Sequence, residues 1–217
     1  MEIIYREITA TNWVIIIIIA CFVLLTIAKT INPIRFADFI LLFHTNKYIV
    51  LNQKSNKLSS PFNGILLIVQ ILSVSLFIYV VSTIFDLQTE SKEEILFFKI
   101  ATLYLVVLIC KILIEKIVAS IFSIESVIND YLFYKISYRN FLGVLLLPFN
   151  LLFIYTLTPS RITLTIVLLS ILTLNLIVLF SIYKKNEKII LNQLFYFILY
   201  LCTLEIAPYF VLYKLII

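Results

Sequence analysis

Long apolar runs constrain this chain more than any other feature, because about 20 such residues form a helix that spans a bilayer. Six segments qualify, near residues 13–31, 61–85, 95–115, 141–157, 162–183 and 189–214. Of the 217 residues, 63% are apolar and 13% are charged, whereas soluble domains average roughly 45–50% and 25%. We therefore predict an all-α integral membrane fold, with about six transmembrane helices in a single membrane domain over residues 1–217.

The scarcity of histidine, glycine and clustered cysteine argues against several chemistries. His44 is the single histidine, the three cysteines show no CxxC spacing, and the two glycines form neither a GxxxG face nor a phosphate-binding loop. The aspartates Asp38, Asp86 and Asp130 are scattered rather than clustered for Mg²⁺. We therefore expect no metal, no cofactor and no nucleic-acid partner, and we favour a protein that is not an enzyme.

Basic residues alternate between successive loops and predict the orientation in the membrane. The first, third and fifth loops are rich in Lys and Arg, whereas the second and fourth contain only Lys92 and Arg161. Because basic loops face the cytoplasm, six spans put both termini in the periplasm of a Gram-negative cell. We expect the first apolar run to be retained, since no small-residue cleavage site follows it.

Proline marks several predicted helix starts. Asn32–Pro33, Ser60–Pro61 and Thr158–Pro159 each place a polar side chain directly before a proline. Proline is favoured at the first helical position, where its missing N–H is not needed. We expect the preceding side chain to cap the helix by accepting a hydrogen bond from a free backbone N–H.

Two cytoplasmic loops are predicted to do more than connect spans. Residues 33–43 are apolar but carry Arg35 and Asp38, which predicts a short interfacial helix with its polar edge outward. Apolar residues at helical spacing after residue 116 predict that the third span continues into the cytoplasm. Tyrosines beside basic residues indicate an interface anchor or, alternatively, a surface for a partner or lipid headgroup. This predicted surface comprises Arg35, Tyr131, Tyr134, Lys135, Tyr138 and Arg139.

Charged residues inside the predicted spans are functional candidates, since each costs about 2.5–3.5 kcal/mol to insert. Lys111 and Glu115 lie four residues apart on one helical face, where they can pair with each other. Glu205 precedes Pro208 by three residues, and this proline is predicted to free a backbone carbonyl and kink the sixth span. Glu205 is either a proton-binding or partner-binding carboxyl, or a group that is hydrogen-bonded to a neighbouring helix or exposed near the outer headgroups.

Three uncharged amides, Gln70, Asn150 and Asn175, are the other polar candidates within the membrane. Asn150 and Asn175 lie near the middle of the fourth and fifth spans, where amides commonly bond between helices. Pro148 lies two residues before Asn150 and is predicted to kink the fourth span.

The segment Leu199–Pro208, L-Y-L-C-T-L-E-I-A-P, resembles part of a small polytopic inner-membrane family of Bacteroidota, catalogued only as a domain of unknown function. The six-span length, the basic first loop and the Ile- and Lys-rich composition agree with that family. The resemblance implies a bacterial inner membrane and places Glu205 and Pro208 within a family feature. It implies no catalytic residue, because the family carries no assigned activity.

The missing catalytic motifs and the two cytoplasmic surfaces favour a non-catalytic accessory or assembly subunit of a larger membrane complex, with protein export as one setting. Its expected partners are membrane lipids and another membrane protein. One alternative is a small proton-coupled transporter that uses Glu205, for which Glu205→Gln would abolish function and leave assembly intact. The other is a lipid-modifying enzyme that uses Lys111, Glu115 and the interfacial tyrosines, for which deletion would remove a lipid species.

Overall fold

The protein is helical in nearly all of the part that the computed structural model describes, which is residues 12–43, 60–85, 93–121, 125–155 and 161–185. These ranges contain no strand, so the all-α prediction is confirmed for them. The α-helices are α1 Asn12–Ile31, α2 Pro33–Ile40, α3 Pro61–Ile84, α4 Glu93–Ile121, α5 Glu125–Tyr155 and α6 Arg161–Lys185, and Leu41–Phe43 adds a 3₁₀ turn after α2.

Four of the described helices are long and apolar enough to cross a membrane. Their candidate spans are Trp13–Ile31, Pro61–Ile84, Glu93–Ile121 and Tyr131–Tyr155, and Arg161–Leu174 within α6 is a shorter apolar stretch. The predicted first and second spans agree with α1 and α3 to within about a residue, and the predicted fifth span agrees similarly with α6. The predicted sixth span, residues 189–214, lies outside the described residues.

Helices α4 and α5 extend beyond the predicted spans. α4 continues to Ile121, as the helical spacing after residue 116 predicted. α5 begins at Glu125, well before the predicted start at residue 141. Hydropathy missed this first half of α5 because it contains polar residues, yet Lys135 and Asn140 are buried there. Their polarity therefore reflects contacts between helices rather than a loop.

Helix α3 is the centre of the bundle and contacts α1, α4 and α5. In the most apolar 18-residue stretch of each helix, 56% of the residues of α3 are buried, compared with 11% of those of α4. Two groups of aromatic side chains pack at opposite ends of α3. The first includes Phe39, Phe62 and Tyr134, and the second includes Trp13, Tyr79 and Phe97. The first group marks the α2 end of the bundle, and the second group marks the Trp13 end.

Helix α2 turns its polar edge inward, which corrects the prediction of an outward polar edge. Arg35 and Asp38 are buried, and the exposed apolar side chains around them are Ile34, Ile40 and Leu41. The cause is aromatic packing. The Phe39 ring lies edge-on to Phe62 and Phe141, with centroid distances of 6.4 and 5.9 Å. These contacts hold the polar edge of α2 against the bundle.

Proline starts α2 and α3 as predicted, but the predicted capping bonds are wrong at both helices. Neither the Asn32 nor the Ser60 side chain hydrogen-bonds to a backbone N–H of its helix. Ser60 Oγ instead accepts a hydrogen bond from Arg35 Nη1 at 3.2 Å. The third predicted cap, at Thr158–Pro159, lies outside the described residues.

Candidate functional site

Buried polar side chains concentrate on α3 and α5, the two helices with the closest mutual contact. In the described residues the buried polar or charged side chains are Arg35, Asp38, Asn63, Gln70, Ser73, Ser75, Glu115, Lys135, Ser137, Asn140 and Asn150. All but three of them lie on α3 or α5. The interface of α3 and α5 is therefore the candidate functional site.

A buried ion pair joins α4 to α5. Lys135 Nζ donates to Glu115 Oε1 at 2.8 Å, and the two side chains are only 9% and 1% exposed. The ammonium group also lies over the Tyr131 ring, 5.2 Å from its centroid. Glu115 Oε2 is buried and accepts no hydrogen bond from the described residues. This carboxylate can therefore accept one further donor without losing Lys135.

Helices α3 and α5 approach each other closely at Gln70 and Gly143. A Cβ atom at Gly143 would lie 2.7 Å from Gln70 Cα, so only hydrogen fits at that position. The Gln70 side chain extends from this contact to α4, where its Nε2 donates to the Tyr104 hydroxyl. Its Oε1 is buried and accepts no hydrogen bond among the described residues. Gln70 thus connects three helices within the membrane.

Asn150 makes the interhelical hydrogen bond that its position predicts. Its Nδ2 donates to the Ser73 carbonyl at 2.8 Å and lies 3.4 Å from Ser73 Oγ. Pro148 lies inside α5, which continues to Tyr155. Asn150 Oδ1 and Ser75 Oγ are buried and lack hydrogen-bond partners among the described residues. Gln70, Ser73 and Asn150 therefore form a polar strip along the interface of α3 and α5.

Most of the predicted surface of basic and aromatic residues is buried in the bundle, and its role as a surface for a partner or lipid headgroup stays a prediction. Arg35, Tyr131, Tyr134 and Lys135 are buried. Tyr138 and Arg139 are half-buried. Helix packing covers most of this region.

The structure brings together only some of the predicted intramembrane residues. Lys111 is half-buried and engaged in a contact, and Glu115 has its ion pair with Lys135. Asn175 lies on α6, where its side chain is not described. Glu205 and Pro208 lie outside the described residues, so their roles stay predictions.

A family model described as "Domain of unknown function (DUF4271)" matches residues 14–216, which is most of the chain. The chain belongs to this family. The match confirms the resemblance to a family catalogued only by an unknown function. No curated protein and no solved structure matches the chain.

The buried polar side chains of this DUF4271 chain offer hydrogen-bond acceptors. No group of three or more His, Cys, Asp or Glu side chains in the described ranges is arranged to hold a metal ion. The buried oxygens of Gln70, Ser75, Glu115 and Asn150 that lack partners are suited to accept hydrogen bonds from water or from another polar group. The chemistry visible in these ranges is therefore hydrogen bonding and charge pairing.

Sequence reasoning missed two residues that organise the polar strip. Gly143 is one of two glycines in the chain, and an isolated glycine in an apolar helix is a signal of close packing. Tyr104 is a single hydroxyl-bearing aromatic residue within a long apolar run, and it hydrogen-bonds to Gln70. Both signals were present in the sequence, but neither identified the partner helix.

Proposed function

We propose that this protein is a non-catalytic multi-pass membrane subunit, an accessory or assembly component of a larger membrane complex. The main support for the proposal is that polar side chains are buried between helices, whereas the exposed faces of the bundle are largely apolar. Most of its buried polar groups lie between helices, as in the Glu115–Lys135 and Asn150–Ser73 contacts. Its outer faces are broadly apolar, which suits lateral contact with another membrane protein or with lipid.

Helix α4 is the strongest candidate for that lateral contact. Within the described part of the chain, 11% of the most apolar 18-residue stretch of α4 is buried. Val106 is 53% exposed, whereas Leu108, two residues further along the same helix, is 4% exposed. α4 is held to the bundle through Glu115 and Tyr104, so its outer face is presented on a fixed helix.

The same proposal includes six spans in the inner membrane of a Bacteroidota cell, with both termini periplasmic and protein export as one setting. The alternation of basic loops supports this orientation. A cysteine-free version of the chain tests it with a maleimide that cannot cross membranes. Ser91→Cys should label in intact spheroplasts, and Lys57→Cys should label only after permeabilisation. The opposite labelling pattern would reverse the orientation.

A photo-crosslinking residue at Val106 tests the subunit assignment directly. We expect ultraviolet light to join Val106 to one membrane protein, and that protein to copurify with the chain in stoichiometric amount from native membranes in mild detergent. The same residue placed at Leu108 is the matched control, and it should crosslink only within the chain. A chain that purifies alone and crosslinks only to lipid from Val106 would contradict the proposal.

A further inference from the structure

Arg35 carries a positive charge that the described residues only partly satisfy. The side chain is 9% exposed. Its Nη1 donates to Ser60 Oγ at 3.2 Å, and its guanidinium carbon lies 5.5 Å from the centroid of the Phe62 ring. Its Nε and Nη2 are buried and hydrogen-bond to no atom of the residues that the structure describes. The acceptor on Nη1 is neutral, so this contact leaves the charge unbalanced.

The two unsatisfied nitrogens form one edge of the guanidinium. The Nε–H and one Nη2–H bond point the same way from the planar group and match two oxygens of a single oxyanion. A buried polar edge without an acceptor is unfavourable and rare in folded proteins. This edge is therefore suited to a ligand that carries two oxygens and negative charge.

No carboxylate of the described residues hydrogen-bonds to this edge of Arg35. Residues 44–59, which connect the 3₁₀ turn to α3, contain three lysines and no Asp or Glu. Glu115 pairs with Lys135, and Glu93 accepts a hydrogen bond from Tyr79 at the Trp13 end. Asp38 is also buried on α2, but it hydrogen-bonds to neither Nε nor Nη2 of Arg35.

Two further features of this region suit a phosphate group. Ser60 is the residue before α3, so the Arg35 guanidinium lies beside the positive end of a 24-residue helix. Helix α2 directly follows the α1 span and exposes Ile34 and Ile40, and Leu41 is exposed in the 3₁₀ turn after it. A charged buried group next to exposed apolar side chains matches a ligand with both an oxyanion and acyl chains.

We propose that the phosphate of a membrane phospholipid binds the Nε and Nη2 edge of Arg35 at the start of α3. Its acyl chains lie along the exposed apolar side of α2. The site binds a phosphodiester, so both anionic and zwitterionic phospholipids satisfy it. A diacylglycerol, which has the same acyl chains and no phosphate, does not.

Native mass spectrometry of the delipidated full-length chain tests the site. Phosphatidylglycerol, phosphatidylethanolamine and diacylglycerol with identical acyl chains are titrated into separate samples. We expect both phospholipids to bind at least about ten-fold more tightly than diacylglycerol, because the charge-assisted fork requires the phosphate. Equal binding of diacylglycerol and the phospholipids would overturn the proposal, and this comparison needs no variant.

Substitutions locate the binding at Arg35. R35Q should weaken phospholipid binding by about ten-fold. R35K keeps the charge but loses the two-pronged hydrogen-bonding edge, so its affinity for phospholipid should lie between that of R35Q and that of the natural chain. K29Q is the matched control, because Lys29 is an exposed basic residue in the last turn of α1. K29Q should bind as the natural chain does. Equal binding by R35Q and the natural chain would refute the site.

Competition with inorganic phosphate separates a lipid from a soluble ligand. We expect an excess of inorganic phosphate to displace little phospholipid, since it lacks the acyl contacts. Complete displacement would reassign the site to a soluble phosphate compound and overturn the lipid assignment. Copurification of a protein that blocks phospholipid binding until it is removed would overturn it in favour of a partner's carboxylate.

Discussion

At Gly143 the backbones of α3 and α5 approach so closely that no side chain fits between them. A Cβ atom added there would lie 2.7 Å from both Cα and Cγ of Gln70. Because the Cα atom belongs to the backbone of a neighbouring helix, the contact cannot be relieved by moving a side chain alone. A larger residue must push the two helices apart.

Gly143→Ala should lower the free energy of unfolding by about 1–3 kcal/mol, because overpacking forces backbone shifts. The measurement is the unfolding midpoint in a fixed detergent. Gly64→Ala is the matched control, since a Cβ at Gly64 would meet nothing within 4 Å. Gly64→Ala should leave the midpoint unchanged or raise it, because alanine favours a helix over glycine. Equal midpoints for both variants would contradict the close contact.

Asn150 is a second residue whose contribution can be isolated. Its Nδ2 donates to the backbone carbonyl of Ser73, so the bond depends on Asn150 and not on the serine side chain. Asn150→Ala should destabilise the bundle by about 0.6–2 kcal/mol, the range of interhelical hydrogen bonds in membranes. Ser73→Ala keeps the carbonyl and should cost clearly less. If Ser73→Ala proves the more damaging change, the carbonyl bond is not the important contact.

At the scale of the helices, the buried ion pair of Glu115 and Lys135 is the main electrostatic contact described between α4 and α5. It joins α4 to α5 close to the point where the chain passes from one to the other. Both side chains are buried, so removing one partner leaves an unbalanced charge in a medium of low dielectric constant.

Glu115→Gln or Lys135→Met alone should destabilise the chain by about 3–5 kcal/mol, whereas the double variant should lose much less than the sum. Unfolding midpoints of the four chains give the coupling. Glu125→Gln is the control, because Glu125 is exposed in the first turn of α5. It should change stability by less than about 1 kcal/mol. Additive effects in the double variant would mean that the pair is not coupled.

The elements also show what the sequence can and cannot predict. Apolar runs predicted α1, α3 and α6 closely, because length and hydropathy are local properties of the chain. The orientation of α2 was predicted wrongly, because it is fixed by Phe62 and Phe141 from distant helices. Asn150 was predicted to bond between helices, but no local pattern gives its acceptor, the carbonyl of Ser73.

At the scale of the whole molecule, α3 is the shared structural element. It contributes Phe62 to the aromatic packing at the α2 end and Tyr79 to the packing at the Trp13 end. Trp13 is the single tryptophan of the chain, and its ring centroid lies 5.3 Å from that of Tyr79. Its fluorescence therefore reports on one end of the bundle alone.

The two ends should unfold together, because one continuous helix belongs to both. Trp13 fluorescence and an environment-sensitive dye at Ile34→Cys, in a chain lacking its natural cysteines, are the two probes. Ile34 is 73% exposed, so the dye should not disturb the packing. We expect coincident denaturation curves. Separate midpoints would show that the ends of α3 unfold independently.

The inward orientation of α2 has a consequence for the order of events during biosynthesis. The ribosome produces α2 before the chain contains either ring that Phe39 contacts. Phe141 follows Phe39 by about a hundred residues, which is roughly 5–20 s of translation. Helix α2 can thus pack on Phe62 early, and it gains its contact with Phe141 only after that part of α5 has been made.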